Sequence, residues 1–567
     1  VEDFFGHEQY GIASNRPVSE DYHPGDEVLI ADGVNSACAF VITAHDNART
    51  VRVTDFDDPP AGWQLEYTRP LPVAENPDAP GFFPPGGAYL RKFNPVGTPR
   101  YYWGRVDHEW DIIQGTYGRR VIPRFADAIG CLAIDGQTGT TAKDLAQHHD
   151  VTRVITRHLI ERYGDAALEW PWVVLNEPDL MSAYWRNRDW EELQRFYDYT
   201  SDAILRAFEE CGYDSEKVQV GGLELGAIWG AQHLRLDDFL IHCSPNVDSD
   251  DALTLNAAYA DPRLDGKRSE RVERLCSANE GRGAPLDFLS IHTYGASHTA
   301  AGKLIQGKKR ALEIDADYYA ELPVVSHETV PTWRPVLDPG AGGMYLDNGY
   351  FVSWMADYQG RLLQQGTKDA RYAYGGDLIL MHWPGIVKNF EILNDTVREI
   401  QLADRIEVIP TQAFHVVNLL STLRNDYRVF PLEQIGAHAV SGFAARTEED
   451  LRIVIYAHNH EDTASRSGAE FEIGLRVSGL SGDRVDVREY RFDSLNNSCY
   501  GLARRHRALP DPEKRRIYTE SEFQEIREHA LLQVTANTEY PVDDDRGARI
   551  TVTVAANGIN FVIVDIP

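Results

Sequence analysis

The sequence predicts an α/β protein, a (β/α)8 TIM barrel with an accessory β-sandwich domain, on three observations. Between about residues 120 and 385, short apolar runs of β character alternate with amphipathic helical stripes. Two of those runs, Trp170–Leu175 and Leu322–Val325, deliver a glutamate just past their ends, Glu177 and Glu328. From about residue 415 the helical pattern fades into short strand-like runs separated by turns.

The elements follow in order. Residues 1–80 form a β-rich segment with strand patterns at Glu27–Ile30, Ala39–Thr43 and Thr50–Asp55, either a small domain or extra strands for the sandwich. Residues 81–410 are the predicted barrel, with strands at Val121–Phe125, Trp170–Leu175, Val218–Leu223, Leu286–Ile291, Leu322–Val325 and Asp377–Met381. A closed barrel needs eight strands. Ala88–Phe93 is assigned as one of the missing two, and the first strand has no candidate. Between the strands, Val151, Ile155, Leu159 and Tyr163 mark one face of a helix, with Asp150 as its N-cap and Gly164 as its stop. A second helix follows Asp189, with Leu193, Phe196, Thr200, Ile204 and Phe208 on one stripe and Gly212 beyond its end. No Gly-x-Gly-x-x-Gly follows any strand, which argues against a dinucleotide-binding open sheet. Residues 411–567 are the sandwich, with strands at Leu451–His458, Glu470–Val477, Val485–Phe492, Ile550–Val554 and Phe561–Ile566.

Composition narrows the partners. The formal charge of −31 argues against nucleic acid and anionic membrane, because a phosphate surface attracts basic patches. No apolar run approaches the length of a membrane span. Ten lysines stand among 56 basic residues, the other 46 being arginine, a bias that fits an acidic, salt-tolerant surface or simply an arginine-rich codon usage. The six cysteines are widely spaced and form no Cys-x-x-Cys pair, so neither a metal cage nor a dense disulfide framework is expected. The chain starts at Val1, and a secreted or periplasmic location is expected.

Glu177 sits in Trp172-Val173-Val174-Leu175-Asn176-Glu177-Pro178-Asp179, and Glu328 in Pro323-Val324-Val325-Ser326-His327-Glu328-Thr329. In a barrel, catalytic residues collect at the C-terminal ends of the strands. The two glutamates are three strands apart by count, so in a closed ring they face each other across the mouth. Two carboxylates about 5 Å apart, one a proton donor and the other a nucleophile, are what retaining cleavage of a glycosidic bond requires. Glu224, which also ends a strand, is the rival nucleophile.

Arg157-His158-Leu159-Ile160-Glu161-Arg162-Tyr163-Gly164 followed by Trp172-Val173-Val174-Leu175-Asn176-Glu177-Pro178-Asp179 resembles glycoside hydrolase family thirty-nine, a family of β-xylosidases and α-L-iduronidases. Phe288-Leu289-Ser290-Ile291-His292-Thr293-Tyr294 and Val487-Arg488-Glu489-Tyr490-Arg491-Phe492-Asp493 extend the match. The resemblance implies Glu177 as acid/base, Glu328 as nucleophile and Asn176 as a ligand of the sugar 2-hydroxyl. It further implies that His292 and Tyr294 orient Glu328, and that Trp333 and Trp383 line the substrate site. The family's second-strand Arg-x-His is matched only by Arg91-Lys92-Phe93, which lacks the histidine. The expected activity is that of a β-xylosidase-like exo-glycosidase acting on an oligosaccharide or glycoside, with no metal or organic cofactor. The alternatives are an α-L-iduronidase-like uronic-acid glycosidase and a catalytically silent carbohydrate-binding barrel.

Overall fold

A computed structural model describes residues 11–13, 27–31, 38–47, 50–55 and 89–93. From 101 to 566 it describes all but 227–235, 248–254, 332–348, 369–396, 499–517 and a few shorter breaks. The chain divides into two compact units, Val1–Phe288 with Ile386–Lys388, and Leu289–Gly385 with Asn389–Pro567.

The first unit opens with strands β1 (Gly11–Ala13), β2 (Glu27–Ala31), β3 (Cys38–Asn47), β4 (Thr50–Asp55) and β5 (Tyr89–Phe93). They pair among themselves, all antiparallel, in the order β1-β4-β3-β2-β5. The assignment of Ala88–Phe93 to the barrel is therefore corrected. β5 runs antiparallel to β2, with Phe93 opposite Glu27, whereas barrel strands are parallel. The match of Arg91-Lys92-Phe93 to the family's second strand falls with it.

Among the described residues, parallel pairing begins at β6 (Arg124–Phe125), which lies beside β7 (Pro171–Val174), which in turn lies beside β8 (Gln219–Leu225). Parallel strands need crossovers, and two long helices supply them. The first, α1 (Leu145–Tyr163), is capped by the Asp144 carboxylate, which accepts from Ala146 N and Gln147 N, and it ends at Gly164 with φ 57°. The sequence reading placed this cap at Asp150, six residues late, because Gln147, His148 and His149 do not look like part of an apolar face. The second, α2 (Trp190–Glu210), starts where expected: Asp189 accepts from Glu192 N, and Leu193, Phe196, Thr200, Ile204 and Phe208 are all buried. Burying each large apolar side chain of that stripe is worth about 1.5–3 kcal/mol.

Polar groups tie these helices together. His148 Nε2 meets Thr200 Oγ1 at 3.0 Å and His149 Nε2 meets Asp202 Oδ2 at 2.9 Å, joining α1 to α2. Asp202 also accepts from the backbone N–H and hydroxyl of Ser269, the N-cap of helix α4 (Glu270–Ala278). One turn earlier, Asp198 accepts from His242 at 2.8 Å, on helix α3 (Leu236–Cys243), and from Ala257 N at 2.7 Å. Both aspartates are fully buried and hydrogen-bonded, the condition under which a buried charge is tolerated.

In the second unit, β9 (Phe288–Ile291, whose first residue closes the first unit) runs parallel to β11 (Val324–Val325), and β10 (Thr293–Tyr294) runs parallel to β12 (Thr329–Val330). Helix α5 (Ser297–Ile314) lies on these strands at a glycine: a Cβ on Gly307 would stand 2.5 Å from Ile291 Cδ1 and 3.3 Å from Val324 Cγ1. Beside it, Lys308 is buried and donates to three carbonyls, Tyr319 O, Ala320 O and Leu322 O at 2.6–2.8 Å, fixing the turn that feeds β11. The predicted strand Asp377–Met381 lies outside the described residues.

Helix α6 (Tyr350–Lys368) follows, then the hairpin β13 (Val397–Gln401) and β14 (Ile406–Pro410) and helix α7 (Gln412–Leu420). Nine further strands follow among the described residues. β15 (Tyr427–Val429), β16 (Glu433–Ile435), β17 (His438–Arg446), β18 (Asp450–His458), β20 (Arg484–Phe492), β21 (Ala536–Pro541) and β23 (Gly558–Asp565) form one antiparallel sheet. β19 (Glu470–Ser478) and β22 (Gly547–Ala555) form a separate antiparallel pair. The two share one apolar core, in which Val440, Ile453, Ile455 and Val564 meet Val477, Ile550, Val552 and Val554. The sequence missed β17, whose His438, Gly442 and Ser441 dilute its apolar pattern although eight of its nine residues are buried. The other face of the large sheet carries α6, with Ser353 Oγ 2.9 Å from His458 Nδ1 and the Tyr350 hydroxyl 2.9 Å from His460 Nδ1. Helix α8 (Glu520–Ala530), closed by a Thr519–Glu522 capping box, packs Phe523 and Ile526 on Leu402 and Ile409.

Candidate active site

Each unit carries one of the two expected glutamates at the C-terminal end of a parallel strand. In the first unit, β7 is buried on both faces and ends at Val174, after which the backbone turns sharply: Leu175 has φ 75° and Glu177 φ 43°. Glu224 at the end of β8 is left-handed as well, with φ 56°. Non-glycine residues in that region cost about 1–3 kcal/mol each and cluster where function holds them. Glu177 N donates to Glu224 O at 2.9 Å, so the two turns brace each other. Glu177 is 7% exposed and stands against Gly226, where a Cβ would lie 3.0 Å from Glu177 Oε1. A side chain there would crowd Leu180 Cδ1, at 2.9 Å, and that carboxylate. Asp179 holds the same turn by accepting from Gly226 N at 2.9 Å.

Asn176 is fixed from β6. Arg124 Nη1 donates to Asn176 Oδ1 at 2.8 Å, and Arg124 Nη2 is 3.7 Å from Glu224 Oε2. Glu224 is fully buried beneath this pair, which suits a counter-charge and not a group that must reach a sugar carbon. Sequence reasoning missed Arg124. The available signal was an arginine inside the otherwise apolar run Val121–Phe125, next to the strand end. Three residues beyond Arg124, desolvation raises the Asp127 carboxyl to about 6, against the opposing pull of the Gly139 N–H and Arg186.

In the second unit, Glu328 Oε2 accepts from the Tyr294 hydroxyl at 2.7 Å and lies 3.1 Å from His292 Nδ1. A carboxylate only accepts, so this contact selects the imidazole with hydrogen on Nδ1. His292 is fully buried and Tyr294 ends the same strand segment, so the orienting groups are themselves immobilised. The main chain of Glu328 is held too: its carbonyl accepts from Thr293 N at 2.8 Å and from Ser326 Oγ at 3.0 Å. Below it, Thr293 bonds Ser326, Thr329 and the Tyr358 hydroxyl, whose pKa burial pushes up to about 12. Glu328, His292 and Tyr294 thus come together as expected. Trp333 and Trp383 lie outside the described residues. The tryptophans Trp170, Trp172, Trp185 and Trp354 are fully buried, core residues and not sugar platforms.

A parallel-stranded α/β scaffold that presents carboxylates at strand ends, one of them held by two donors, is an arrangement suited to a glycoside hydrolase. Residues 136–502, more than half of the 567, match the family model described as glycosyl hydrolases family 39. The chain belongs to that family. No curated protein matches it in sequence. Among solved structures, a monomeric beta-xylosidase from Caulobacter crescentus CB15 is similar at TM-score 0.51 and 14% identity, over 85% of this chain and 86% of that one. The bacterial orthologue of human α-L-iduronidase is similar at TM-score 0.54 and 15% identity, over 83% and 73%. A family 39 enzyme from Xanthomonas axonopodis pv. citri is similar at TM-score 0.50 and 14% identity, over 82% and 83%. At such identities the likeness shows a shared α/β fold. Among the described residues no helix is long and apolar enough to cross a membrane.

Proposed function

We propose that the protein is a retaining exo-glycosidase of β-xylosidase type, with Glu328 as nucleophile and Glu177 as acid/base. The observation that carries the reading is the double anchoring of Glu328 Oε2 by Tyr294 and His292, in a chain whose family makes it a glycoside hydrolase. A nucleophile must be aimed before it reacts, and two rigid donors on a neighbouring strand segment aim it. The alternating parallel strands and helices are read as a (β/α)8 barrel, and the two C-terminal sheets with their common core as a β-sandwich.

In the first step the Glu328 carboxylate attacks the anomeric carbon. The bond to the leaving oxygen breaks, and that oxygen takes the proton of Glu177. In the second, water attacks the same carbon and gives its proton to Glu177, while the ester bond to Glu328 breaks and the carboxylate returns. Asn176 donates to the sugar 2-hydroxyl, a contact that strengthens as charge develops on the ring. The mechanism asks the two carboxyl groups to approach to about 5–5.5 Å. A xyloside is the first candidate because beta-xylosidases recur among the similar structures, and an iduronide is the second because an α-L-iduronidase orthologue is among them too.

The test is turnover of aryl glycosides carrying xylose, glucose and iduronate, at low and high salt. The reading predicts the highest kcat/KM for the xyloside, and loss of that turnover in Glu328→Ala, restored by azide as the glycosyl azide of inverted configuration. Undiminished turnover in Glu328→Ala ends the assignment. Binding without turnover of any member would favour a silent carbohydrate-binding protein.

A further inference from the structure

We propose that Arg124 is a positioning residue that turns the Asn176 side chain to present its amide N–H2 to the sugar 2-hydroxyl, with Glu224 as the counter-charge that holds Arg124. This inference rests on the reading of Asn176 as a sugar ligand and concerns what orients it. An asparagine amide has an oxygen that accepts and a nitrogen that donates, and it can rotate to offer either. A guanidinium has only donors. Arg124 Nη1 at 2.8 Å therefore fixes Oδ1 toward itself and leaves Nδ2 pointing the other way as a donor.

The rest of the arrangement keeps that orientation from reversing. Arg124 is at the end of β6, Asn176 just beyond β7 and Glu224 at the end of β8, three adjacent parallel strands whose C-terminal ends converge. Arg124 Nη2 lies 3.7 Å from Glu224 Oε2, and Glu224 is fully buried while Arg124 is 26% exposed. A buried carboxylate left without a partner is costly, so the ion pair pins the guanidinium against strand ends that already have fixed spacing. Without Arg124, an amide flip would place Oδ1 toward the sugar. The 2-hydroxyl would then have to donate where the transition state is best served by its accepting.

The test compares an aryl glycoside with its 2-deoxy counterpart. In wild type the 2-hydroxy substrate has the higher kcat/KM. Arg124→Leu should lower kcat/KM on the 2-hydroxy substrate by about 10- to 100-fold, the worth of one hydrogen bond formed in the transition state. It should leave the 2-deoxy substrate within about twofold, because that substrate lacks the group concerned. Asn176→Ala should show the same selective loss, and adding Arg124→Leu to it should cost little more. Arg124→Lys, which keeps a charged donor, should restore part of the loss. Since Arg124→Leu strands the Glu224 charge and can impair folding, Arg124→Leu/Glu224→Leu removes both charges and should show the same selectivity. Equal loss on both substrates, or full additivity with Asn176→Ala, overturns the positioning role while leaving the proposed reaction intact. Absence of any 2-hydroxyl-selective loss in Asn176→Ala itself overturns the reading of Asn176, and this proposal with it.

Discussion

The chemistry of single residues is where the proposed mechanism is most exposed. Tyr294 offers one hydroxyl to Glu328 Oε2, and a hydrogen bond to a charged group is worth about 1.5–3 kcal/mol. Tyr294→Phe removes that donor and little else, so kcat should fall by about 10- to 100-fold with stability nearly unchanged. Stopped assays alongside thermal melts separate the two quantities. An unchanged kcat would mean that His292 alone aims the carboxylate. Glu177→Ala should cost about 10²–10⁴-fold in kcat/KM on substrates whose leaving group needs protonation, and much less where the leaving group is a good one. Equal losses on phenolic leaving groups of high and low pKa would remove Glu177 from the acid role. Both glutamates could be read from the sequence, because an apolar run that stops at Asn-Glu-Pro or His-Glu-Thr is a local pattern. Arg124 was marked only as an arginine in an apolar run, and its role exists only once β6, β7 and β8 lie side by side.

At the scale of elements, the buried ammonium of Lys308 shows how a helix sets the position of a strand. It satisfies three carbonyls of the turn before β11, and Lys308→Met would take that donor from all three, although Tyr319 O keeps the Leu322 N–H at 3.2 Å. The expected loss is about 3 kcal/mol, with reduced activity because β11 leads directly to Glu328. Urea unfolding of the variant checks it, and a change below about 0.5 kcal/mol would show that water replaces the amine without loss. The sequence revealed elements best where period and caps agreed, as in α2 behind Asp189. It failed where burial depends on distant partners. His148 and His149 belong inside α1 only because Thr200 and Asp202, some fifty residues on, receive them. Strand direction was equally illegible: Tyr89–Phe93 has the residues of a strand, and nothing in them distinguishes parallel pairing from the antiparallel pairing it adopts.

For the whole molecule, acid is the expected weakness of both units at once. Burial lowers His148 in the first unit and His458 in the second to about 3. An unfolded histidine titrates near ~6.5, so between those values the unfolded chain binds more protons than the folded one. The stability held by keeping these rings neutral is complete above pH ~6.5 and is lost progressively as the pH falls toward 3, by up to a few kcal/mol for each ring. Melting temperatures at pH 7, 5 and 4 should fall in that order, and more gently in His148→Gln. A variant with the wild-type pH slope would show that this histidine is not among the groups responsible. The charge of −31 adds a second whole-molecule expectation, that moderate salt raises the melting temperature by screening self-repulsion.

The central claim, that Glu328 forms a bond to the sugar and Glu177 then directs water to the same face, has a stereochemical signature. Proton NMR of an aryl β-xyloside digest, recorded before the free sugar mutarotates, reads the anomer released first. Double displacement predicts β-xylose as that first product, the configuration of the substrate. Release of α-xylose first would mean a single displacement by water, and would contradict the role assigned to Glu328.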